Sequence, residues 1–311
     1  MKKLLSALLC GSAIVYISST GCKEIGPAVN LSPAASVGMV DSVSTLSSAQ
    51  IAALTADPHS VLVEEFTGQS CSNCAPAHTS LDNQVATNPS HINVICLFPY
   101  SIPQALPPTG AVHDFRDSAS QNIANYVSGN GVGALPSAYI DRVPTSGNVE
   151  VDGSGPWSGL INGLLPATDS VNLALQSSYN STTGLATIIA TVTYASPVST
   201  KQNLSVVVVE DTMYDIQEVP VTTTDPTGFE NTYLYTCVFR DMVSTAPSGD
   251  PVLDTVATKV KGRVLKRTYT YKLKTTTPAI NPAHCRVIAY INSTNGADKH
   301  ILQSAQTKFT P

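Results

Sequence analysis

Two cysteines spaced as Cys-x-x-Cys follow an apolar run, and this feature constrains the fold of the chain more than any other. A buried strand is predicted at residues 61–66, a turn containing Gly68 follows, and Cys71-Ser-Asn-Cys74 begins a helix predicted over residues 71–86. The first thiol at a helix N-terminus faces unpaired backbone N–H groups, which lower its pKa and make it a nucleophile. This spacing after a strand is typical of a thioredoxin-like redox motif.

The composition excludes some classes of function. The chain has 311 residues, of which 13% are charged, and its net charge of −5 is spread without blocks. Without a basic patch, nucleic acid is not expected as a partner. No apolar run after the N-terminus is long enough to span a bilayer.

Residues 1–21 are predicted to be a secretory signal peptide, because two lysines precede a short apolar stretch. The stretch ends in Ser19-Thr-Gly-Cys22, and a small residue before a cysteine resembles a bacterial lipoprotein cleavage site. Cys22 is then the first mature residue and carries a lipid that tethers the protein to a membrane. The alternative is an ordinary cleavage site beside an incidental cysteine. Both place the chain in a compartment where disulfides persist.

The rest of the chain divides by pattern. Residues 22–55 are rich in Ser, Ala, Val and Thr and are predicted to be a tether with a short helix at 48–54. In residues 56–150, strands at 61–66, 91–98 and 134–141 alternate with helices at 71–86 and 112–127. This alternation predicts an α/β domain with a parallel or mixed sheet.

A linker rich in Gly, Ser and Pro is predicted at residues 151–168, followed by an all-β domain at 169–311. Short alternating runs with turn residues between them indicate a β-sandwich of Ig-like or jelly-roll type. Its strands are predicted at residues 171–179, 185–194, 204–210, 232–242, 255–260, 267–273, 285–292 and 301–309.

The stretch from Val61 to Cys74, together with Leu135-Pro136-Ser-Ala-Tyr-Ile-Asp-Arg142, resembles the lipoprotein family related to the 28-kDa outer-membrane protein of Bacteroidetes. The resemblance implies a thioredoxin-like domain followed by a β domain. It also implies a location in the cell envelope, anchored by lipid to the outer membrane at its periplasmic face or at the cell surface.

The resemblance to thioredoxin-fold enzymes assigns roles to four residues. Cys71 takes the nucleophile position and Cys74 the resolving position. Glu65, six residues before Cys71, is expected to accept the proton of Cys74, and Pro136 matches a cis proline that lies against the disulfide. With Ser-Asn between the cysteines, we expect a reduction potential of about −270 to −180 mV.

Two functions therefore remain open. The first is thiol–disulfide exchange on exported proteins, with no cofactor beyond the cysteines. The second is binding or adhesion at the cell surface, with Cys71–Cys74 as a structural disulfide only. A zinc or copper site made by Cys71, Cys74 and His78, with His113 nearby, is not predicted, because no second cysteine pair accompanies these residues.

The remaining cysteines and histidines are given structural interpretations. Cys96 lies in an apolar run and is predicted to be a core thiol. Cys237 and Cys285 lie in or beside predicted strands and form either a structural disulfide or two separate buried thiols. The ring of His78 is expected to be exposed on its helix. Solvated, non-catalytic positions are expected for His59, His91 and His284.

Asp followed by Ser or Thr and an apolar residue recurs more often than composition alone would give. The pattern resembles the O-glycosylation acceptor motif of exported Bacteroidetes proteins. The alternative is that it marks turn-to-strand and helix-cap junctions. The predicted acceptors are Ser42, Ser118, Ser170, Thr212 and Thr255.

Overall fold

The computed structural model of the protein describes residues 38–222, 226–274 and 279–310. The predicted signal peptide and Cys22 lie outside the described residues. The described part is mostly β, with few helices and several sheets, and it belongs to one compact unit.

Strands and helices alternate in the first half and strands dominate the second. The helices are α1 (Ser48–Ala53), α2 (Cys74–Thr87), α3 (Ser118–Ser128) and α4 (Trp157–Leu164), with 3-10 turns at Pro103–Ala105 and Pro282–His284. The strands are β1 (Gly38–Thr45), β2 (Val61–Phe66), β3 (Ile92–Leu97), β4 (Ser137–Ile140), β5 (Val151–Asp152), β6 (Val171–Asn180), β7 (Leu185–Tyr194), β8 (Gln202–Glu210), β9 (Met213–Glu218), β10 (Phe229–Tyr235), β11 (Val238–Met242), β12 (Asp250–Pro251), β13 (Arg263–Lys272), β14 (Cys285–Ser293) and β15 (Ile301–Lys308).

A nine-stranded sheet runs through both halves of the chain. Its order is β15-β14-β8-β11-β3-β2-β4-β5, with β12 beside β8. Strands β2 and β3 are parallel, and β4 is antiparallel to β2. The two halves join where β11 pairs with β3 at Val238 and Cys96. The sheet therefore crosses the boundary predicted between the two domains.

A second sheet packs on the first and forms a sandwich. Its antiparallel order is β1-β13-β7-β6. Alternate residues of these strands, such as Ile188 and Tyr269, pack against Val206 and Val208 of β8. Val207 and Val209 point to the opposite core, so β8 is buried on both faces. One layer of the sandwich is thus continuous with the sheet of the first half.

The helices cover both faces of the sheet around β2. Ala77 of α2 and Trp157 of α4 share a core with Val63. Ile123 of α3 shares the opposite core with Leu62. β2 has no exposed face, because the helices cover both sides of the sheet here, and Glu64 and Glu65 are buried together with its apolar residues.

Several predicted boundaries needed correction. The segment 151–168 is a strand and a helix with Trp157 buried, rather than an extended linker. Part of the predicted tether, residues 38–45, is β1, which pairs with β13. The predicted strand at 232–242 is divided at Cys237, whose φ of 58° turns the chain between β10 and β11. No strand forms at 255–260, which contributes a single bridge to Val198.

The helix predicted at 112–127 begins later, at Ser118. Asp117 caps it by accepting a hydrogen bond from the Ala119 N–H at 2.6 Å. The N–H groups of Val112 and His113 instead donate to Asp215 of β9, at 3.0 and 2.6 Å. These two hydrogen bonds tie residues 112–113 to β9, outside the helix.

Candidate functional site

Cys71 and Cys74 form a disulfide in the turn between β2 and α2. The Cys74 N–H donates to the Cys71 carbonyl at 3.0 Å, and α2 begins at Cys74, three residues later than predicted. Cys71 is 5% exposed and Cys74 is 0% exposed. The motif thus lies at the start of a helix, as predicted, but beneath neighbouring segments.

One of these segments is the loop at residues 103–106. The Ser70 N–H donates to the Gln104 carbonyl at 3.0 Å, and the Ser70 hydroxyl donates to the Leu106 carbonyl at 2.8 Å. A Cβ atom at Gly68 would lie 2.2 Å from the Gln104 oxygen. Glycine is therefore required at position 68 for the two loops to approach this closely.

The other covering segment is β9, which forms a two-stranded sheet with β10. The Glu218 N–H donates to the Gln69 carbonyl at 2.8 Å. Gln217, fully buried, donates through Nε2 to the carbonyls of Cys71 at 3.0 Å and Gly68 at 3.2 Å. These hydrogen bonds hold the cysteine loop against β9. Sequence patterns gave no indication of them.

Glu65 lies inside the protein near the start of α2, and its side chain is 1% exposed. The Cys96 thiol donates to Glu65 Oε2 at 3.3 Å. Oε1 has no hydrogen-bond partner among the described residues and lies 3.4 Å from His78 Nε2. Burial raises the pKa of Glu65 to about 8, although the hydrogen bond from Cys96 opposes the shift. This carboxyl group therefore exchanges its proton near neutral pH.

His78 connects Glu65 to α2 and to β10. Its Nε2 is hydrogen-bonded to Thr67 Oγ1 at 2.7 Å, and its Nδ1 to the Tyr233 hydroxyl at 2.8 Å. Burial lowers the pKa of His78 to about 4, so the ring is neutral at pH 7. The expected exposed position is wrong. His78 follows Cys74 by four residues on the same face of α2, which places Glu65 beneath that face.

Pro136 lies beside the end of β2 from which the cysteine loop leaves. Its peptide bond with Leu135 is cis. The next residue, Ser137, pairs with Phe66 at the end of β2. The sheet therefore brings Pro136, Glu65 and the start of the cysteine loop into one region. The catalytic roles of these residues stay predictions.

A disulfide between Cys237 and Cys285 is not formed. Both are free thiols, as is Cys96. Cys237 directly precedes β11 and Cys285 begins β14, and β8 lies between these two strands in the sheet. The Cys285 thiol donates to the Asn281 carbonyl at 3.1 Å. The sequence pattern predicts the strands near Cys237 and Cys285, but it does not show that β8 lies between them in the sheet.

The geometry gives no metal site at the motif. Both motif sulfurs are joined in the disulfide, and His113 Nδ1 is hydrogen-bonded to Asp215 Oδ2 at 3.0 Å. Within residues 38–222, 226–274 and 279–310, no group of three metal-ligating side chains is found.

His59, expected to be solvated, is instead buried between two carboxylates. Its ring nitrogens lie 2.7 Å from Asp141 Oδ2 and 2.6 Å from Asp169 Oδ2. Burial lowers its pKa, but the two carboxylates outweigh burial and raise it to about 10. No local pattern indicates that His59 lies between two carboxylates, because Asp141 and Asp169 are 82 and 110 residues away in the sequence.

The predicted glycosylation sites differ in accessibility. Ser42, Thr212 and Thr255 are exposed, whereas Ser118 and Ser170 are half-buried. Four of the preceding aspartates have structural partners: Asp41 pairs with Arg267, Asp117 caps α3, Asp169 pairs with His59, and Asp211 pairs with Arg286. These partners account for the presence of the four aspartates without glycosylation of the residues that follow them.

A family model described as outer membrane protein Omp28 matches residues 123–310, which is more than half of the chain. The chain belongs to the Omp28 family. The matched region contains Pro136 but not Glu65, Cys71 or Cys74, so family membership gives the outer-membrane assignment and not an activity. No curated protein shows significant similarity to the chain.

Three solved structures are similar to this Omp28 family member. HBP35 of Porphyromonas gingivalis aligns with a TM-score of 0.57 and 14% identity over 81% of this chain and 76% of HBP35. Protein AGR_C_4864 of Agrobacterium tumefaciens aligns with a TM-score of 0.49 and 12% identity, over 82% and 97% of the two chains. A domain of the outer membrane lipoprotein Omp28 of Porphyromonas gingivalis gives 0.30 and 12%, over 46% and 90%. At these identities the similarity to HBP35 concerns the fold alone.

Among the described helices, none combines the length and the apolar character needed to cross a membrane.

Proposed function

We propose that this Omp28 family member carries out thiol–disulfide exchange on exported proteins through Cys71 and Cys74. The buried carboxyl group of Glu65 is the observation that carries the proposal. Its Oε1 has no hydrogen-bond partner among the described residues, it lies beneath the face of α2 that bears Cys74, and its pKa is about 8. A disulfide that serves only as a staple needs no proton-exchanging group at this place.

The order of elements around the motif supports a thioredoxin-like unit. The chain runs β2-α2-β3-α3-β4-β5-α4, and the sheet order is β3-β2-β4-β5 with β2 and β3 parallel. This is the arrangement that a thioredoxin-like domain requires. The unit differs from a free-standing one because β11 extends its sheet at β3.

The exchange transfers two electrons from a substrate dithiol to the Cys71–Cys74 disulfide. A substrate thiolate attacks Cys71 Sγ, forming a mixed disulfide, and the Cys71–Cys74 bond breaks with its electron pair on Cys74. The second substrate thiol, as thiolate, then displaces Cys71. The substrate becomes a disulfide and the two protein sulfurs become thiols. In the reverse direction Cys74 must lose its proton before it attacks, and the ionised form of Glu65, which is the minor form at pH 7, accepts this proton.

A second function is favoured by the low exposure of Cys71, which is 5%. Gln217 and Glu218 hold the cysteine loop under β9, as expected of a structural disulfide in a binding or adhesion protein. An insulin-reduction assay separates the two functions. Exchange predicts that wild type accelerates insulin reduction, that Cys71→Ser abolishes the acceleration, and that Cys285→Ser retains it. Equal rates for wild type and Cys71→Ser contradict exchange.

The mature protein is proposed to be anchored in the outer membrane by a lipid on Cys22 and to carry glycans at some of the five predicted acceptors. The family assignment supports the location at the outer membrane. The exposure of Ser42, Thr212 and Thr255 supports access by a glycosylating enzyme. Intact mass of the protein from its own envelope tests both proposals. A mass equal to the unlipidated polypeptide contradicts the anchor, and a mass equal to the lipidated polypeptide contradicts the glycans.

A further inference from the structure

Cys96 and Cys237 lie side by side where the two halves of the large sheet meet. The Cys96 N–H donates to the Cys237 carbonyl at 2.8 Å, and both residues line the same narrow cleft. The backbone hydrogen bond keeps the two Cα atoms within about 6.7 Å of each other. Disulfides span Cα separations of ~4.4–6.8 Å, so the backbone positions of these two cysteines permit a disulfide.

The two thiols have different surroundings. Arg286 Nη2 donates to Cys237 Sγ at 3.0 Å, and the guanidinium is itself held by Asp211, whose Oδ2 lies 2.7 Å from Arg286 Nε. Asp211 Oδ1 also accepts a hydrogen bond from the Cys237 N–H at 2.8 Å. The neighbouring Cys96 thiol, together with the charge of Arg286, lowers the pKa of Cys237. Cys237 is therefore the nucleophilic thiol of the pair.

Cys96 is the thiol that keeps its proton. Its S–H donates to Glu65 Oε2 at 3.3 Å. The neighbouring Cys237 thiolate and burial raise its pKa well above the ordinary value. A thiolate beside a protonated thiol is the arrangement in which the first sulfur is oxidised and the second resolves it.

A narrow cleft reaches both sulfurs. It is lined on one side by Glu65, Cys96 and Cys237 and on the other by His78, Tyr233 and Tyr235. Its free space holds about one molecule of the size of water. The cleft therefore excludes protein disulfides and glutathione disulfide, and it suits an oxidant as small as hydrogen peroxide.

We propose that Cys96 and Cys237 form a second redox centre, separate from Cys71–Cys74, that reduces a small hydroperoxide. The Cys237 thiolate attacks one peroxide oxygen, so that an S–O bond forms and the O–O bond breaks. The leaving hydroxide takes a proton and becomes water. The Cys96 sulfur then attacks Cys237, forming the S–S bond and breaking the S–O bond. The Cys96 proton leaves with the second water. Two thiols lose two electrons and one peroxide gains them.

The test uses the mature Cys71→Ser/Cys74→Ser protein. This variant lacks the first pair of cysteines, so the result does not depend on whether Cys71–Cys74 is redox-active. One equivalent of hydrogen peroxide is added, and non-reduced peptides are mapped by mass. The expected product is a Cys96–Cys237 disulfide, with one peroxide consumed per chain. A Cys285 thiol oxidised as fast as Cys237, or a Cys237 that stays reduced, overturns the proposal. Mapping of the wild-type protein gives the same answer without any substitution.

Variants assign the roles. Cys96→Ser is expected to stop at the sulfenic acid of Cys237, which dimedone traps. Arg286→Gln is expected to lower the rate of peroxide consumption at least tenfold, and Cys285→Ser is expected to leave it unchanged. Dimedone labelling of Cys96 in place of Cys237, or an unchanged rate in Arg286→Gln, contradicts the assigned roles.

Discussion

Glu65 Oε1 of β2 and His78 Nε2 of α2 lie 3.4 Å apart in the interior of the protein. The two groups are not an ion pair at neutral pH. Burial raises the pKa of Glu65 to about 8 and lowers the pKa of His78 to about 4, so both are neutral at pH 7. The proton that can move therefore belongs to Glu65.

Glu65→Gln is expected to reduce the loss of stability between about pH 6.5 and pH 8. The carboxyl group titrates near 4.5 in an unfolded chain and at about 8 in the folded protein. The unfolded state therefore binds fewer protons in this window, and the free energy of unfolding falls by at most about 1.4 kcal/mol per pH unit. Urea unfolding at both pH values measures the difference. The exposed control Glu230→Gln should behave as wild type, and an identical loss in Glu65→Gln contradicts the assigned pKa.

His59→Gln is expected to destabilise the protein by about 3 kcal/mol near pH 7, because Asp141 loses its buried partner. The folded pKa of His59 is about 10 and the ordinary value is 6.5. Its contribution is thus complete below pH 6.5 and is lost as the pH rises through about 10. The gap between wild type and variant should narrow over this range, as measured by urea unfolding. A stability difference between wild type and His59→Gln that widens with pH, or an equal effect of His284→Gln, argues against the pairing of His59 with Asp141 and Asp169.

Arg142→Met is expected to cost about 3–5 kcal/mol, since it leaves Glu64 as an unpaired buried charge. Arg142 Nε donates to Glu64 Oε2 at 2.7 Å, and its guanidinium lies over the Tyr290 ring of β14. The double variant Glu64→Leu/Arg142→Met should recover most of the loss. Denaturant unfolding gives the values. A single variant that loses less than about 1 kcal/mol contradicts a charged pair in the core.

Gln217→Leu is expected to make Cys71–Cys74 easier to reduce. The substitution removes the donors to the Cys71 and Gly68 carbonyls, and each hydrogen bond contributes about 1 kcal/mol. Local opening of the cysteine loop should become at least about tenfold more frequent. Pseudo-first-order reduction by dithiothreitol measures it, with the exposed Gln176→Leu as control. An unchanged rate means that β9 does not protect the disulfide.

Local patterns predicted the elements that have apolar inner faces. β2 was predicted with its observed limits from the apolar run 61–63 and Phe66, whose side chains enter the cores on both faces, and β7 was predicted from its alternation. β1 has no such pattern, because it is an exposed strand held by backbone pairing with β13 and by Asp41–Arg267. Its residues therefore resembled those of a tether.

β9 was missed for a different reason. Its buried face carries the polar residues Asp215 and Gln217, which bind the backbone of two loops. Apolar and polar residues therefore do not alternate as they do in a strand with one face in an apolar core. The continuity of the large sheet rests on one pairing between Val238 and Cys96. No local signal exists for a contact between residues so distant in sequence. The surroundings of Cys71 and Cys96 depend on these two features and could not be predicted.

The most direct test of exchange at Cys71–Cys74 is its reduction potential in the full mature protein. Equilibration with thiol–disulfide buffers, followed by mass analysis of the peptide that contains both cysteines, isolates this pair from the other thiols. The proposed function predicts a potential of about −270 to −180 mV, within the range of exchange proteins. A potential below about −300 mV, as in structural disulfides of secreted proteins, would contradict it.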